Sequence, residues 1–354
     1  DEDDAIDGGA GTADLLTLTS AAGTNTYGSV TDADTETLNV SNVEILELVS
    51  DTNGDAIDFD LFASPAAFTK VIVTGTADAD DVVLTDIQTT TIDIRNTDNV
   101  SVSDNLEFVT YDKKDSTATD DTLTVNIENR DTSELFTLTT LTAAGIENIT
   151  LNAEGGTQGD ITITNFTATS AEAITITGDA DLTLGAFAAT VETVTAGTST
   201  GDISITMAAA DTTVTTGSGA DTIAFGTTLD GNDTVTAGAG TDTVTVGAIN
   251  TTAIDLDLAI DGVERFSFTE ANTSVSNATF DFNGDVISRI TAVMDDAANN
   301  TTTFEDLGSG TINLVASSAS GNADGDYIAI DRANDTTSDQ IDIDVTTDAA
   351  SDMA

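Results

Sequence analysis

Between Thr213 and Val246 the chain writes one phrase three times: Gly219-Ala220-Asp221-Thr222-Ile223, Gly231-Asn232-Asp233-Thr234-Val235 and Gly240-Thr241-Asp242-Thr243-Val244. Each is Gly-x-Asp-Thr-aliphatic. Asp233 and Asp242 are nine residues apart, and Asp221 precedes Asp233 by nine plus a three-residue insertion. A short period of this kind constrains a fold strongly, because each repeat must occupy an equivalent place in a stack. Glycine permits a sharp turn at positive φ. The aliphatic residue two places after the aspartate enters a core as the turn passes into a short strand. The pattern predicts coils of a parallel β-helix.

The acids in such turns have a chemical reading. A hard cation takes roughly six to eight oxygen ligands, which turn carbonyls and aspartates of adjacent turns can supply. The stretch resembles the RTX (repeats-in-toxin) nonapeptide array, Gly-Gly-x-Gly-x-Asp-x-aliphatic-x. That resemblance implies Ca2+ ligation by Asp221, Asp233 and Asp242, with Asp230 beside the middle turn. Gly217, Gly219, Gly231, Gly238 and Gly240 would shape the turns. The first glycine of the consensus is replaced by Thr216, Thr228 and Ala237. A row of Asx-type turns without metal is the alternative.

Weaker copies occur elsewhere. Asp7-Gly8-Gly9-Ala10-Gly11-Thr12-Ala13-Asp14-Leu15 has the double glycine, with Asp14 one residue late; Asp7, Gly9, Gly11 and Asp14 are its candidate ligands and turn residues. Gly75-Thr76-Ala77-Asp78-Ala79-Asp80-Asp81-Val82 and Gly178-Asp179-Ala180-Asp181-Leu182 carry aspartates two apart before an aliphatic. Strand alternation would put such a pair on one face, so Asp78, Asp80 and Asp81, and Asp179 with Asp181, are further calcium candidates beside a plain acidic-turn reading.

The rest of the chain alternates an aliphatic or β-branched residue with a polar one, as in Leu15-Leu16-Thr17-Leu18-Thr19 and Ile174-Thr175-Ile176-Thr177. Period two with valine and threonine predicts short half-buried strands and an all-β fold. Only Leu141 to Gly145 and Met207 to Ala210 read as single helical turns. A looser repeat of apolar-Glu-x-apolar recurs at Glu44, Glu107, Glu147, Glu172, Glu192 and Glu264, with steps of 25 and 20 residues from Glu147 to Glu172 to Glu192. That step is about one coil of a right-handed solenoid; the glutamates themselves are expected to be solvated residues at strand starts. The expected organisation is a β-rich segment over 1–130, a solenoid with calcium repeats over 131–247, and a β module over 248–354. Phe266, Phe268, Phe280, Phe282 and Phe304 in that last module point to a packed core, with a sandwich as one form.

Charge sets the partners. The chain of 354 residues has 63 acidic and 8 basic residues, a net charge of −55. Its hydrophobic fraction of 39% is that of a folded chain, so self-repulsion must be relieved by bound cations or salt. Nucleic acid and anionic membranes would be repelled, and no apolar run is long enough for a membrane-spanning helix. The opening Asp1-Glu2-Asp3-Asp4 is not a signal peptide, so a mature product or a piece of something longer is expected.

Cysteine and histidine are absent. That removes thiol chemistry, imidazole catalysis and histidine-bound zinc, and no phosphate-binding glycine loop is present. A carboxylate-pair glycosidase lacks tryptophan to stack on sugars, so no enzyme is expected. The long Thr-, Asp- and Ala-rich chain with Val-Glu-x-aliphatic-Thr phrases looks like bacterial surface-layer (S-layer) proteins. That resemblance implies a secreted, self-assembling cell-surface protein. Its partners would be copies of itself in a two-dimensional lattice, with cell-surface polysaccharide as a possible second partner. Its folding would depend on Ca2+. A stalk or ligand-binding segment of a large RTX adhesin is the alternative. An ice-binding solenoid, on the strength of Thr-x-Thr pairs such as Thr193/Thr195 and Thr234/Thr236, is a narrower one. The segment Asp339 to Val345 reads as a strand with one charged face, suited to pairing with a neighbour.

Overall fold

The computed structural model describes residues 5–19, 38–50, 55–76, 80–96, 106–115, 117–130, 135–155, 160–209, 211–247, 254–257, 259–268, 278–294, 301–318, 327–333 and 340–346. The strands pair in parallel and build the all-β solenoid expected from the repeats. The chain divides into two compact units, 1–190 and 191–354.

In the first unit the chain alternates between two sheets. One runs Leu15–Thr19, Ile45–Ser50, Lys70–Gly75, Thr91–Arg95, Thr122–Glu128, Asn148–Glu154 and Ala173–Gly178. The other runs Asp55–Asp58, Asp80–Ile87, Leu106–Lys113, Phe136–Ala144, Ile161–Thr167 and Leu182–Ala186. Two strands therefore complete one coil. In-register pairing stacks like on like: Leu16, Leu46, Val71, Ile92, Val125, Leu151 and Ile176 form one column. From Leu46 to Ile176 that column is buried. β-Branched and aliphatic side chains fit this half-buried pleated surface, and threonine takes the outward positions. Leu141 to Gly145, expected as a helical turn, instead ends the strand Phe136–Ala144, because pairing with Ile161–Thr167 outweighs local preference.

Outward columns also match. Asn126 donates to Asp93 Oδ1 at 2.6 Å, Asn152 to Asn126 Oδ1 at 3.3 Å, and Thr177 to Asn152 Oδ1 at 2.9 Å. Polar residues thus satisfy one another from coil to coil on the surface as aliphatics do inside.

In the second unit one sheet holds Thr193–Thr195, Thr213–Thr215, Thr234–Thr236 and Ala259–Asp261, and its threonines fall in two rows, Thr193-Thr213-Thr234 and Thr195-Thr215-Thr236. The second sheet holds Ile203–Thr206, Thr222–Gly226, Thr243–Val246, Arg265–Phe268, Arg289–Met294, Thr311–Ser318 and Gln340–Thr346. The expected boundary at 247 does not interrupt pairing, since Thr243–Val246 lies in register with Arg265–Phe268. Nor do the phenylalanines pack as a sandwich of antiparallel sheets. A third parallel sheet, Ile254–Asp257, Ala278–Asp281, Thr301–Leu307 and Tyr327–Arg332, carries Phe280 over Phe304 with centroids 5.7 Å apart and planes at 14°. Phe266 of the second sheet meets Phe282 edge-on at 5.2 Å. Aromatic enrichment here fills successive coils of the same solenoid.

Because each core residue touches equivalents in the coils before and after it, truncation leaves a cavity that neighbours in fixed register cannot close. Leu151→Ala is expected to cost about 2–5 kcal/mol, and outward Thr150→Ala about 0.5 kcal/mol or less. Denaturant unfolding of the two variants measures the difference.

Candidate cation site at the acidic corners

A residue just before a strand lies at a corner of the coil, and register decides what lies above it. Thr222 pairs with Thr243, and Thr243 with Arg265. Asp221, Asp242 and Glu264 therefore stack at one corner. Asp221 Oδ1 accepts from the Ile203 N–H at 2.8 Å, Asp242 Oδ1 from the Asp221 N–H at 2.7 Å, and Glu264 Oε2 from the Asp242 N–H at 2.9 Å. Each carboxylate thus closes the corner of the preceding coil, where a backbone donor would otherwise lie unmet. The acids are structural pins.

The arrangement leaves acceptors over. Asp221 and Asp242 are 1% and 0% exposed, yet Oδ2 of each is buried with no hydrogen-bond partner. A buried charge of this kind is costly without compensation. The pressure shows in Asp242, whose carboxyl is pushed up to about 6 by burial, with the nearby charges of Asp221, Glu264 and Asp202 acting in the same direction.

Asp233 is placed differently. Thr234 belongs to the other sheet, so Asp233 stands over Thr212 and apart from the Asp221–Asp242 stack. Its Oδ1 accepts from the Thr212 N–H at 2.8 Å and hydroxyl at 2.7 Å, and its Oδ2 from the Asp230 N–H at 2.7 Å. Burial raises its pKa too, but both oxygens have donors. Asp230 and Gly231 make an Asx turn, in which Asp230 Oδ1 accepts from the Asn232 N–H at 2.8 Å. A nine-residue step is thus half a coil and moves an acid to the opposite sheet; acids that stack are 21 or 22 residues apart.

The glycines stack as expected. Gly238 has φ +84°, and a Cβ on it would collide with the Gly217 carbonyl below. That carbonyl also accepts from the Ala239 N–H at 2.9 Å. Gly240 lies over Gly219 in the same way. Close approach of turn to turn is what these glycines provide.

The weaker motifs divide. Asp14 donates its N–H to Glu44 Oε2 at 3.0 Å, its Oδ2 is buried without a partner, and Gly11 lies against its carboxylate. Asp7 is on the surface, where its Oδ1 accepts from Asn42 at 2.8 Å and from the Gly9 N–H at 2.9 Å, holding its carboxyl below the usual range. Gly9 takes φ +87° in that turn. Asp78 lies outside the described residues, as does the side chain of Asp80. Asp81 has a buried Oδ1 with no partner, and its carboxyl is raised by burial and by Glu107 beside it. Asp179 and Asp181 do not share a strand face, because both precede the strand Leu182–Ala186, Asp179 within a bend. Asp179 Oδ1 receives the Gly155 N–H at 3.4 Å, and the Asp181 carbonyl receives Ile161 N–H at 2.8 Å.

The glutamate repeat, expected to be solvated, behaves in two ways. Glu172 and Glu192 are exposed. Glu44, Glu147 and Glu264 instead are half-buried and accept the N–H of Asp14, Asp121 and Asp242 one coil earlier. The signal was the spacing between an Asp and the Glu of the next coil, which is visible only once register is known.

The donors of the Asp221–Asp242–Glu264 corner are all oxygen, as a hard cation requires, and two buried oxygens lack partners; in these respects the residues fit Ca2+. Among the described residues no three acidic side chains gather around one point. A cation here would therefore take carbonyl or water oxygens as its remaining ligands. Comparisons with protein-family models, curated proteins and solved structures each gave no match.

The sign of the pH effect follows from these acids. A carboxyl raised on folding binds its proton more tightly in the folded chain, so ionising it costs stability as pH rises. For Asp242, and for Asp285, also raised to about 6 by burial and by Asp261, the loss falls between the ordinary 3.8 and about 6. In chelator the protein should melt at lower temperature at pH 7 than at pH 5, and Asp242→Asn should narrow the gap. Thermal melts followed by circular dichroism check both.

Proposed function

We propose that the chain is a structural, secreted solenoid whose coils are fastened by calcium and which assembles with copies of itself at a cell surface, in the manner of an S-layer protein. The observation that carries this reading is the stack of Asp221 and Asp242, each fully buried and each with a carboxylate oxygen lacking a donor. A net charge of −55 supports it, because a chain so acidic gains most where divalent cations are abundant. Free calcium is plentiful outside cells and scarce within them, which favours export before folding.

Self-association is supported by the strand Gln340–Thr346. It pairs along one edge with Thr311–Ser318, and no partner lies on its other edge among the described residues. Ile341 and Ile343 on it are 40% and 65% exposed. An open, regular edge with exposed apolar side chains is a surface on which another strand can add. No catalytic role is part of the proposal. The adhesin-stalk alternative shares the calcium chemistry and differs in assembly.

Extracellular modules bind calcium with dissociation constants of roughly 0.1–1 mM. At several millimolar calcium each site then contributes about 1–2 kcal/mol. The expected outcome is monomers with reduced β signal in chelator, and on calcium addition recovery of the β signal with two-dimensional sheets in negative-stain images. Rods that stiffen without forming sheets would favour the adhesin stalk, and a circular dichroism spectrum indifferent to chelator would refute the calcium reading.

A further inference from the structure

The corner at Asp242–Glu264 has a counterpart where no nonapeptide motif exists. Asp121 donates its N–H to Glu147 Oε2 at 2.8 Å, as Asp242 does to Glu264 Oε2 at 2.9 Å. In both pairs Oδ2 of the aspartate is buried and without a hydrogen-bond partner. Asp121 is 5% exposed and Asp242 0%. The two corners are thus built alike, from an aspartate at a strand start and a glutamate one coil later.

They differ at Oδ1 of the aspartate, which in Asp242 accepts from the Asp221 N–H at 2.7 Å. The Lys113 ammonium is paired with Asp121 Oδ1, with the two side chains 18% and 6% exposed. Lys113 is one of only 8 basic residues in the chain, and it brings a positive charge to the aspartate whose N–H Glu147 accepts. Around Asp242 the charges of Asp221, Glu264 and Asp202 act together, while Arg265, whose N–H donates to the Asp242 carbonyl at 2.9 Å, has an exposed side chain. The same construction is therefore neutralised from within at one corner and acted on by further acids at the other.

We propose that the Asp-then-Glu corner is a repeated cation position of this solenoid, filled by the chain's own Lys113 at Asp121–Glu147 and by a divalent hard cation at Asp242–Glu264. The inference rests on the calcium reading above and extends it to Glu264, a ligand outside the glycine-rich turns. It also makes Lys113 a tethered substitute for a metal ion. Removing the lysine charge should convert a permanent corner into a calcium-dependent one, and removing the Glu264 charge should weaken the other.

Calcium alone, titrated into the full chain by calorimetry, tests this in wild type, Glu264→Gln, Lys113→Gln and, as a control at an exposed repeat position, Glu192→Gln. Glu264→Gln is expected to lose one ion or raise its binding midpoint about tenfold or more. Lys113→Gln is expected to bind one ion more than wild type, and Glu192→Gln the same number. Should Lys113→Gln unfold in chelator, refolding on calcium addition is the supporting result and failure to refold the opposing one. Wild-type binding by Glu264→Gln overturns the inference while leaving the calcium reading intact, and so does absence of any gain in Lys113→Gln. A wild-type chain that binds no calcium overturns both.

Discussion

In-register parallel stacking sets each residue about 4.8 Å from its equivalent in the next coil, and everything else in this molecule depends on that repetition. Inside, it is favourable: columns such as Val71, Ile92, Val125 and Leu151 bury aliphatic against aliphatic. On the surface, the column of Asp93, Asn126, Asn152 and Thr177 bonds from coil to coil. At an acidic corner the same rule stacks carboxylate on carboxylate. Two like charges about 5 Å apart repel by roughly 3 kcal/mol where the effective dielectric is near 20. Repetition supplies the core and creates the electrostatic problem together.

Backbone donors answer part of that problem. One oxygen of Asp221 and one of Asp242 accept an N–H from the preceding coil, which fixes register and closes the corner. The second oxygens of Asp221 and Asp242 remain, and the chain distributes its own positive charges unevenly. In the first unit its basic residues stand beside acids, as in Lys113 with Asp121, Arg95 with Glu47 and Lys70 with Asp93. At the Asp221–Asp242–Glu264 stack the carboxylates of Asp221, Glu264 and Asp202 act on Asp242 together. On the proposal made above, a cation makes up the difference at neutral pH.

The architecture was legible in the sequence because strand alternation and the nine-residue step are local properties. Glycine at 217, 219, 238 and 240 announced the stacked turns for the same reason. The site was legible only in part. Asp221 and Asp242, grouped by spacing, do stack at one corner, but Asp233 was grouped with them although half a coil separates one sheet from the other. Glu264 and Glu147 were taken as solvent-facing because what occupies them lies 22 and 26 residues back along the chain. The phenylalanines after residue 260 were read as a new module, since composition reports that a core exists and not which strands enclose it. Each miss concerns register, a long-range property that composition and short spacing do not encode.

The central claim is that a cation, and not a shared proton, balances the stacked carboxylates of the second unit. A crystal structure of the calcium-loaded protein at neutral pH, with anomalous scattering to identify the ion, tests it most directly. The account predicts an ion about 2.3–2.6 Å from Asp221 Oδ2, Asp242 Oδ2 or both. Calcium-free density at that corner, with the Asp242 carboxylate in hydrogen-bond contact with a neighbouring acid, would contradict it.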